Sequence, residues 1–200
     1  MNQNDIDKLY NNRFFKRRIK KYHNKEIILA KVIHNVFSPD SVFDIGCALG
    51  SYLLKYKELG SKVSGCDKYF EYAKKYCDSE ILPFLFSLDA EAKWDYSKYD
   101  KYHLVQCIEV AEHVKFQSSR QLVENICNMS LKYVLFTAAP PGQRGTGHIN
   151  CQTKGFWINL FNDNNFIIDI NKQEELMNAI KKSKNYLGIV RNIMVFKINC

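Results

Sequence analysis

The sequence lacks the apolar segments that membrane-spanning or secreted proteins carry. It contains no run of about 18 apolar residues, which excludes a transmembrane helix. Residues 1–7 are polar and acidic and do not resemble a signal peptide. Together these two absences lead us to expect a cytoplasmic protein.

Patterns typical of disulfide frameworks and zinc sites are also absent. The chain has seven cysteines, an odd number, and none of them belongs to a C-x-x-C pair. This scatter favours free thiols in a reducing compartment over disulfide bonds or a zinc centre.

No internal repeat or low-complexity linker divides the 200 residues, a length that suits one domain. A hydrophobic content of 46% and an aromatic content of 14% allow a complete core. We expect a basic helical cap over residues 1–40 and one catalytic or binding domain over residues 41–200.

The net charge of +8 is concentrated at the start of the chain, where residues 1–40 hold nine basic and four acidic side chains. Such an excess favours an anionic partner, such as a nucleic acid, a phosphorylated metabolite, an acidic glycan or a lipid headgroup. The alternative is a solvated helix face. Residues 13–25 interleave basic with aromatic side chains, which could contact RNA or another anion. The same side chains could instead pack on the domain while their charged ends reach water.

Two helices are expected in the cap. Apolar residues at helical spacing predict one over residues 5–23, on which Ile6 and Tyr10 share a face. A second apolar stripe begins at Leu29 and continues to Phe37. Ser38, Pro39 and Asp40 then end the second helix.

A strand, a glycine turn and a helix follow the cap. Residues 42–45 are a β-run, Gly46 to Gly50 form the turn, and residues 51–59 have a helical pattern. This is the first crossover unit of a parallel α/β sheet, whose ligands bind beyond the carboxyl ends of the strands. The turn has neither the G-x-G-x-x-G of dinucleotide folds nor the Gly-Lys-Ser/Thr of phosphate-binding loops. The alternative is an ordinary strand-to-helix turn.

The pattern D-x-G-C-x-x-G from Asp44 to Gly50 resembles the first motif of class I S-adenosylmethionine (SAM)-dependent methyltransferases, often D-x-G-C-G-x-G. Ala48 stands where the middle glycine is usual. The resemblance covers roughly residues 40–200. It implies a Rossmann-like α/β fold with a seven-stranded sheet of order 3-2-1-4-5-7-6, flanked by helices and covered by an N-terminal helical cap.

Later strands and helices are expected to complete this sheet. The predicted strands after the first are 62–67, 81–87, 103–108, 132–139, 166–170 and 192–198. The helices predicted after the one at 51–59 are 69–77, 118–130, 153–161 and 173–185.

The resemblance also implies SAM as the cofactor. Asp67, at the tip of the second strand, would accept the ribose hydroxyls, its alternative role being a helix cap. Asp89 would meet the adenine amino group, its alternative role being a turn residue. The full set of expected cofactor residues is Asp44, Gly46, Cys47, Ala48, Gly50, Ser51, Asp67, Lys68, Asp89, Ala90, Cys107 and Ile108.

A second group of polar residues follows the fourth strand. If a helical turn begins near Glu109, then Glu112 and His113 share its face. A glycine-rich loop, residues 140–150, adds His148 at the same edge of the sheet. We expect these four residues to form the catalytic or acceptor site, with His113 as the base, oriented by Glu109 or Glu112. The alternative is that they only cap a helix and bond backbone groups.

The E-x-x-E-H pattern resembles ubiquinone-pathway-type O-methyltransferases and the small-RNA 3′-end 2′-O-methyltransferases. In the latter group, this triplet and a later histidine hold a divalent metal. That resemblance implies Mg²⁺ or Mn²⁺ on Glu109, Glu112, His113 and His148.

We therefore predict SAM-dependent O-methylation of a small-molecule, glycan or lipid-linked hydroxyl. Two alternatives stay open. One is a metal-dependent RNA 2′-O-methyltransferase, and the other is a non-catalytic protein that binds SAM or nucleic acid for a partner.

Overall fold

The computed structural model describes residues 8–184 and 187–199, with only the backbone of residue 187. Within these residues the strands are β1 (Ser41–Ile45), β2 (Lys62–Asp67), β3 (Leu85–Ser87), β4 (Tyr102–Ile108), β5 (Ser130–Thr137), β6 (Phe166–Ile168) and β7 (Ile193–Ile198). The helices are α1 (Asn12–Phe37), α2 (Ser51–Glu58), α3 (Phe70–Ala73), α4 (Ser119–Met129), α5 (Lys154–Asn162) and α6 (Ile170–Ser183).

The seven strands form one sheet in the order β3-β2-β1-β4-β5-β7-β6. Strand β7 pairs antiparallel with both β5 and β6, and the other pairs are parallel. The predicted fold and strand order are therefore confirmed, and β2 has the predicted limits.

Helices cover both faces of the sheet because successive strand residues point to opposite sides. Phe43 and Ile45 of β1 belong to the apolar cluster under α4 and α5. Val42, the residue before Phe43 in β1, belongs to the apolar cluster on the other face, under α1, α2 and α6. Burial on both faces explains why the strands are nearly continuous apolar runs rather than alternating ones.

The cap differs from the prediction, since α1 is one continuous helix of 26 residues rather than two. The Asn11 side chain accepts hydrogen bonds from the backbone N–H groups of Arg13 and Phe14 and so caps its start. Neither glycine nor proline occurs in α1, so nothing interrupts the helical backbone. The predicted position of Ile6 lies outside the described residues.

Five other elements differ from their predicted limits by two or more residues. Strand β5 lies two residues earlier than predicted, and β6 ends at Ile168 rather than at residue 170. Pro83 lies in a 3₁₀ turn, Leu82–Phe84, so β3 begins only at Leu85. Helix α3 ends at Ala73 and continues as a single 3₁₀ turn. Helix α6 begins before its predicted start because the Asp169 carboxylate accepts the N–H of Lys172 at 3.0 Å.

No helix among the described residues is long and apolar enough to cross a membrane. The six described cysteines are all free thiols.

Candidate active site

The carboxyl ends of the parallel strands open into a cavity of about 820 Å³. Residues from 8 to 22 form one wall, and the loops after β1 to β5 form the others. The cap thus covers the strand ends, where α/β folds bind their ligands.

The glycine turn after β1 has three residues with left-handed backbone. Their φ angles are 75° at Gly46, 48° at Ala48 and 67° at Gly50. A Cβ at Gly46 would lie 2.4 Å from Cγ2 of Val110, so only glycine fits there. Ala48 does fit, as expected for a small residue, but it adopts a conformation that favours glycine. This accounts for glycine as the usual residue at that position of the motif.

Asp67 lies on the cavity wall at the tip of β2 and is buried. One of its carboxylate oxygens accepts the N–H of Ala48 at 3.0 Å, and the other accepts the N–H of Tyr69 at 2.7 Å. Burial raises the pKa of Asp67, and these two bonds oppose the rise. The carboxylate therefore ties the glycine turn to the tip of β2. Each oxygen keeps a further lone pair for a ligand hydroxyl.

The remaining expected cofactor residues fall into two groups. Gly46, Ala48, Lys68, Asp89, Ala90 and Ile108 line the cavity with Asp67. Lys68 and Asp89 form an ion pair of 3.1 Å there. The residues that do not line it are Asp44, Cys47, Gly50, Ser51 and Cys107. For both groups, direct contact with a cofactor stays a prediction.

Asp44 is buried behind the glycine turn, and its Oδ2 has no hydrogen-bond partner among the described residues. Burial is the main reason that its pKa is raised.

The turn after β4 is not the helical turn that the spacing suggested. Glu109 has a φ of 54°, in the left-handed region, and a 3₁₀ turn forms only over Ala111–His113. The expectation that Glu109, Glu112 and His113 share a helical face is therefore wrong. Oε1 of Glu109 instead accepts a hydrogen bond of 2.9 Å from the side-chain amide of Asn192, the residue just before β7.

Backbone carbonyls orient both imidazoles. Nδ1 of His113 lies 3.0 Å from the Gly147 oxygen, and Nδ1 of His148 lies 3.1 Å from the Gln143 oxygen. A carbonyl only accepts, so both Nδ1 atoms carry a proton, and in a neutral ring Nε2 keeps the lone pair. The expectation that Glu109 or Glu112 orients His113 is thus corrected. Burial lowers the pKa of His113 to about 4, which leaves the ring neutral at pH 7.

Glu112 is fully buried, and neither carboxylate oxygen has a hydrogen-bond partner among the described residues. Its Oε1 lies 3.9 Å from Nε2 of His148. Burial, followed by the nearby charge of Glu109, raises the pKa of Glu112 to about 8. One donor atom each from Glu112, His113 and His148 lies within 4.8 Å of the others. Glu109 is not part of this group, so its predicted place as a fourth metal ligand has no geometric support.

The glycine-rich loop packs directly on the two imidazoles. A Cβ at Gly145 would lie 2.1 Å from Nε2 of His148. A Cβ at Gly147 would lie 3.1 Å from Nδ1 of His113, at a residue whose φ is 80°. Glycine at both positions therefore lets the loop backbone reach the imidazole rings.

Two further residues of the site were not predicted as functional. The ring of Tyr10 stacks on Tyr69 at 4.6 Å and meets His113 edge-on at 6.0 Å. Burial raises the pKa of the Tyr10 phenol, and the charges of Asp67 and Glu112 add to that rise. Arg144 reaches the cavity from the glycine-rich loop. Two sequence signals could have indicated these residues. They are the aromatic and basic composition of the cap and the single arginine in the loop of residues 140–150.

Solved structures of methyltransferases share this fold. The magnesium protoporphyrin IX methyltransferase of Synechocystis PCC 6803, with bound S-adenosylhomocysteine (SAH), is 17% identical with a TM-score of 0.61, over 84% of this chain and 91% of that one. An amino pentose methyltransferase from Micromonospora echinaspora, with bound SAM, is 11% identical with a TM-score of 0.63, over 92% and 94% of the chains. An O-methyltransferase of a Brevibacillus brevis multienzyme, with SAH, is 18% identical with a TM-score of 0.56, over 90% and 72%.

No protein-family model and no curated protein matches the chain. Similarity at these identities establishes the fold, which is that of the class I SAM-dependent methyltransferases. Because one fold hosts many functions, the activity has to be argued from the site.

Proposed function

We propose that this protein is a SAM-dependent methyltransferase that acts on a hydroxyl group of a small acceptor. The observation that carries the proposal is the convergence on one cavity of the glycine turn, Asp67 and the Glu112–His113–His148 group. Asp67 would accept the ribose hydroxyls, as its place at the tip of β2 suggests. The similar structures with SAM or SAH support this choice of cofactor.

The cavity volume suits a cofactor and a small acceptor together. At about 820 Å³ it lies near the upper end of the range of roughly 300–1,000 Å³ for small-molecule sites. A polymeric acceptor would have to present one group into it.

His113 is the proposed general base. The sulfonium methyl of SAM is already activated, so the protein mainly aligns the acceptor oxygen with it. The oxygen forms a bond to the methyl carbon, the carbon–sulfur bond breaks, and its electron pair stays on sulfur to give SAH. Nε2 of His113 takes the hydroxyl proton, and the Gly147 carbonyl keeps the ring in the required tautomer.

A divalent metal fits the same group of residues. Glu112 would supply a buried carboxylate without a hydrogen bond, and the neutral rings of His113 and His148 would supply Nε2 lone pairs. Histidines that bind metals usually donate their other N–H to a carbonyl or carboxylate, as both do here. As the alternative to the base role, in which Nε2 of His113 takes a proton, these three residues would hold Mn²⁺ or Mg²⁺, the mixed nitrogen and oxygen set favouring Mn²⁺. A bound ion would supply Lewis acidity that lowers the pKa of the acceptor hydroxyl.

Isothermal titration with SAM and with NAD tests the cofactor. We expect SAM to bind and NAD not to. Replacing Asp67 by asparagine should weaken SAM binding by about 1–3 kcal/mol, whereas Asp40→Asn, on an exposed residue, should have no effect. Binding of NAD without any SAM heat would overturn the assignment.

A SAM-consumption screen over pooled hydroxyl compounds tests the activity. His113→Ala should lower turnover by about 10²–10⁴-fold, and His103→Ala, a histidine outside the cavity, should not. Tight SAM binding without turnover on any pool, together with a tight protein partner, would favour a non-catalytic SAM-binding protein instead.

Thermal unfolding with added Mn²⁺ tests the metal. The ion should raise the melting temperature of the wild-type protein, and His148→Ala should abolish the rise. An identical shift in both proteins, or none in either, would refute the metal site and leave the base role of His113 in place.

A further inference from the structure

One face of α1 turns basic side chains toward the cavity. Arg13, Arg17 and Lys21 recur every four residues and lie on the cavity wall. Lys16 and Lys20 belong to the same helix but not to that wall. The basic side chains of α1 therefore fall into two sets. One set lines the cavity, and the other, Lys16 and Lys20, lies outside it.

Arg144 adds a fourth cation from the glycine-rich loop, so two separate segments bring positive charge to one opening. The guanidinium groups of Arg13, Arg17 and Arg144 are exposed, and they form no ion pair with any residue between 8 and 199 that the structure describes. Two other cations of the cavity are paired. Arg18 bonds the buried Glu26 at 2.5 Å, and Lys68 bonds Asp89 at 3.1 Å.

Acidic and basic groups thus come from different segments around the cavity. The strand ends contribute the acids Asp67 and Glu112, and Glu112 belongs to the same group as the proposed base His113. The three arginines lie on α1 and on the glycine-rich loop. An acceptor with a hydroxyl at one end and a negative charge at the other would match this arrangement, because each arginine can bind an oxyanion with two parallel hydrogen bonds.

We propose that Arg13, Arg17 and Arg144 form a binding site for the phosphate or carboxylate of a small anionic acceptor. The identification of the bound anion as a methyl acceptor rests on the proposed methyltransferase function. The anion-binding site itself does not depend on that function. A small molecule fits better than a nucleic acid, since these cations line a cavity of about 820 Å³ rather than an open surface. A nucleic-acid strand would also use Lys16 and Lys20.

Calorimetric titration with three probes tests the site: phenyl phosphate, benzoate and neutral benzyl alcohol. Each is titrated with and without SAH. We expect the anions to bind, binding to weaken as NaCl rises, and benzyl alcohol to bind at least about tenfold more weakly. The two anions distinguish a phosphate from a carboxylate as the preferred group.

The triple variant R13Q/R17Q/R144Q should weaken anion binding at least about tenfold and leave SAH affinity within about twofold. The matched control K16Q/K20Q/K132Q removes the same charge from positions outside the cavity and should leave both affinities unchanged. The single variant R144Q should lose part of the anion affinity, in case the triple variant does not fold.

Three results would overturn the proposal: unchanged anion affinity in the triple variant, an equal loss in the control, or equal binding of benzyl alcohol. A ten-nucleotide single-stranded RNA that binds far more tightly than phenyl phosphate, and weakens equally in both variants, would instead identify a nucleic-acid surface. Absence of SAH binding with intact anion binding would refute the proposed function alone.

Discussion

Replacing Glu112 by glutamine isolates the cost of burying its charge. Glutamine has nearly the shape of the protonated acid but does not ionise. In the folded protein the pKa of Glu112 is about 8, against an ordinary value of 4.5, because the carboxylate is buried beside Glu109. Between these values the folded protein retains a proton that the unfolded chain releases, so the stability due to Glu112 falls as pH rises.

His113 acts in the opposite direction over a lower range. Its folded pKa is about 4 and its ordinary value is 6.5, so its contribution to stability is lost as pH falls through that range. The two effects oppose each other below pH 6.5, and from there to pH 8 only the effect of Glu112 remains. Within this window, each pH unit lowers the free energy of unfolding by about 1.4 kcal/mol. The wild-type protein should therefore lose about 2 kcal/mol relative to E112Q across this window.

Urea unfolding at pH 6.5, 7.25 and 8 measures this difference. A loss of about 2 kcal/mol should lower the melting temperature by about 4–8 °C for a chain of this size. The buried Asp44 and Asp67 also have raised pKa values, but both proteins contain them, so subtraction removes their effect. Glu174→Gln, on an exposed residue, is the matched control and should follow the wild type.

If the difference in free energy of unfolding between the wild type and E112Q stays constant from pH 6.5 to 8, the claim that Glu112 is buried and unpaired is refuted. A rising difference in favour of the wild type would mean that a cation stabilises the carboxylate. Repeating the series with EDTA separates that outcome from an error in the assigned burial.

Two other substitutions test contacts of the site. Gly145→Ala places a Cβ 2.1 Å from Nε2 of His148, so it should displace the ring and abolish both turnover and the Mn²⁺-induced thermal shift. Gly188→Ala, where a Cβ meets nothing within 4 Å, should do neither, and equal results for the two would contradict the packing argument. Tyr10→Ala should weaken SAM binding, measured by calorimetry, by about 0.5–1.5 kcal/mol through loss of the stack on Tyr69, whereas Tyr10→Phe should preserve it; equal weakening by both would assign the effect to the hydroxyl.

The sheet was predictable because its signals are local. A short apolar run that ends at Gly46 defines β1, and burial on both faces makes this run nearly continuous. Asp67 marks the end of β2. The motif from Asp44 to Gly50 then identified the topology.

The cap was mispredicted for a tertiary reason. The polar residues 22–26 interrupt the apolar stripe of α1, which suggested two helices. In the structure, Glu26 is buried against Arg18, and His23 lies 3.0 Å from the Ser51 hydroxyl. Polar residues therefore continue the buried face of the helix by pairing, which hydrophobic periodicity cannot reveal.

The active-site cluster shows where sequence reasoning reaches its limit. Proximity of Glu109, Glu112, His113 and His148 follows from topology, since parallel strands end at one edge. Their orientations follow from the positive φ at Glu109, the 3₁₀ turn after it and two carbonyls of a distant loop. No residue spacing encodes these features. The structure consequently separates two carboxylates that the spacing treated as equivalent: Glu109 is paired with Asn192, and Glu112 is left buried beside two imidazole lone pairs. A buried acid without a partner is costly, and binding a cation would offset that cost. Glu112, rather than Glu109, is therefore the side chain whose replacement should decide whether this cavity holds a metal.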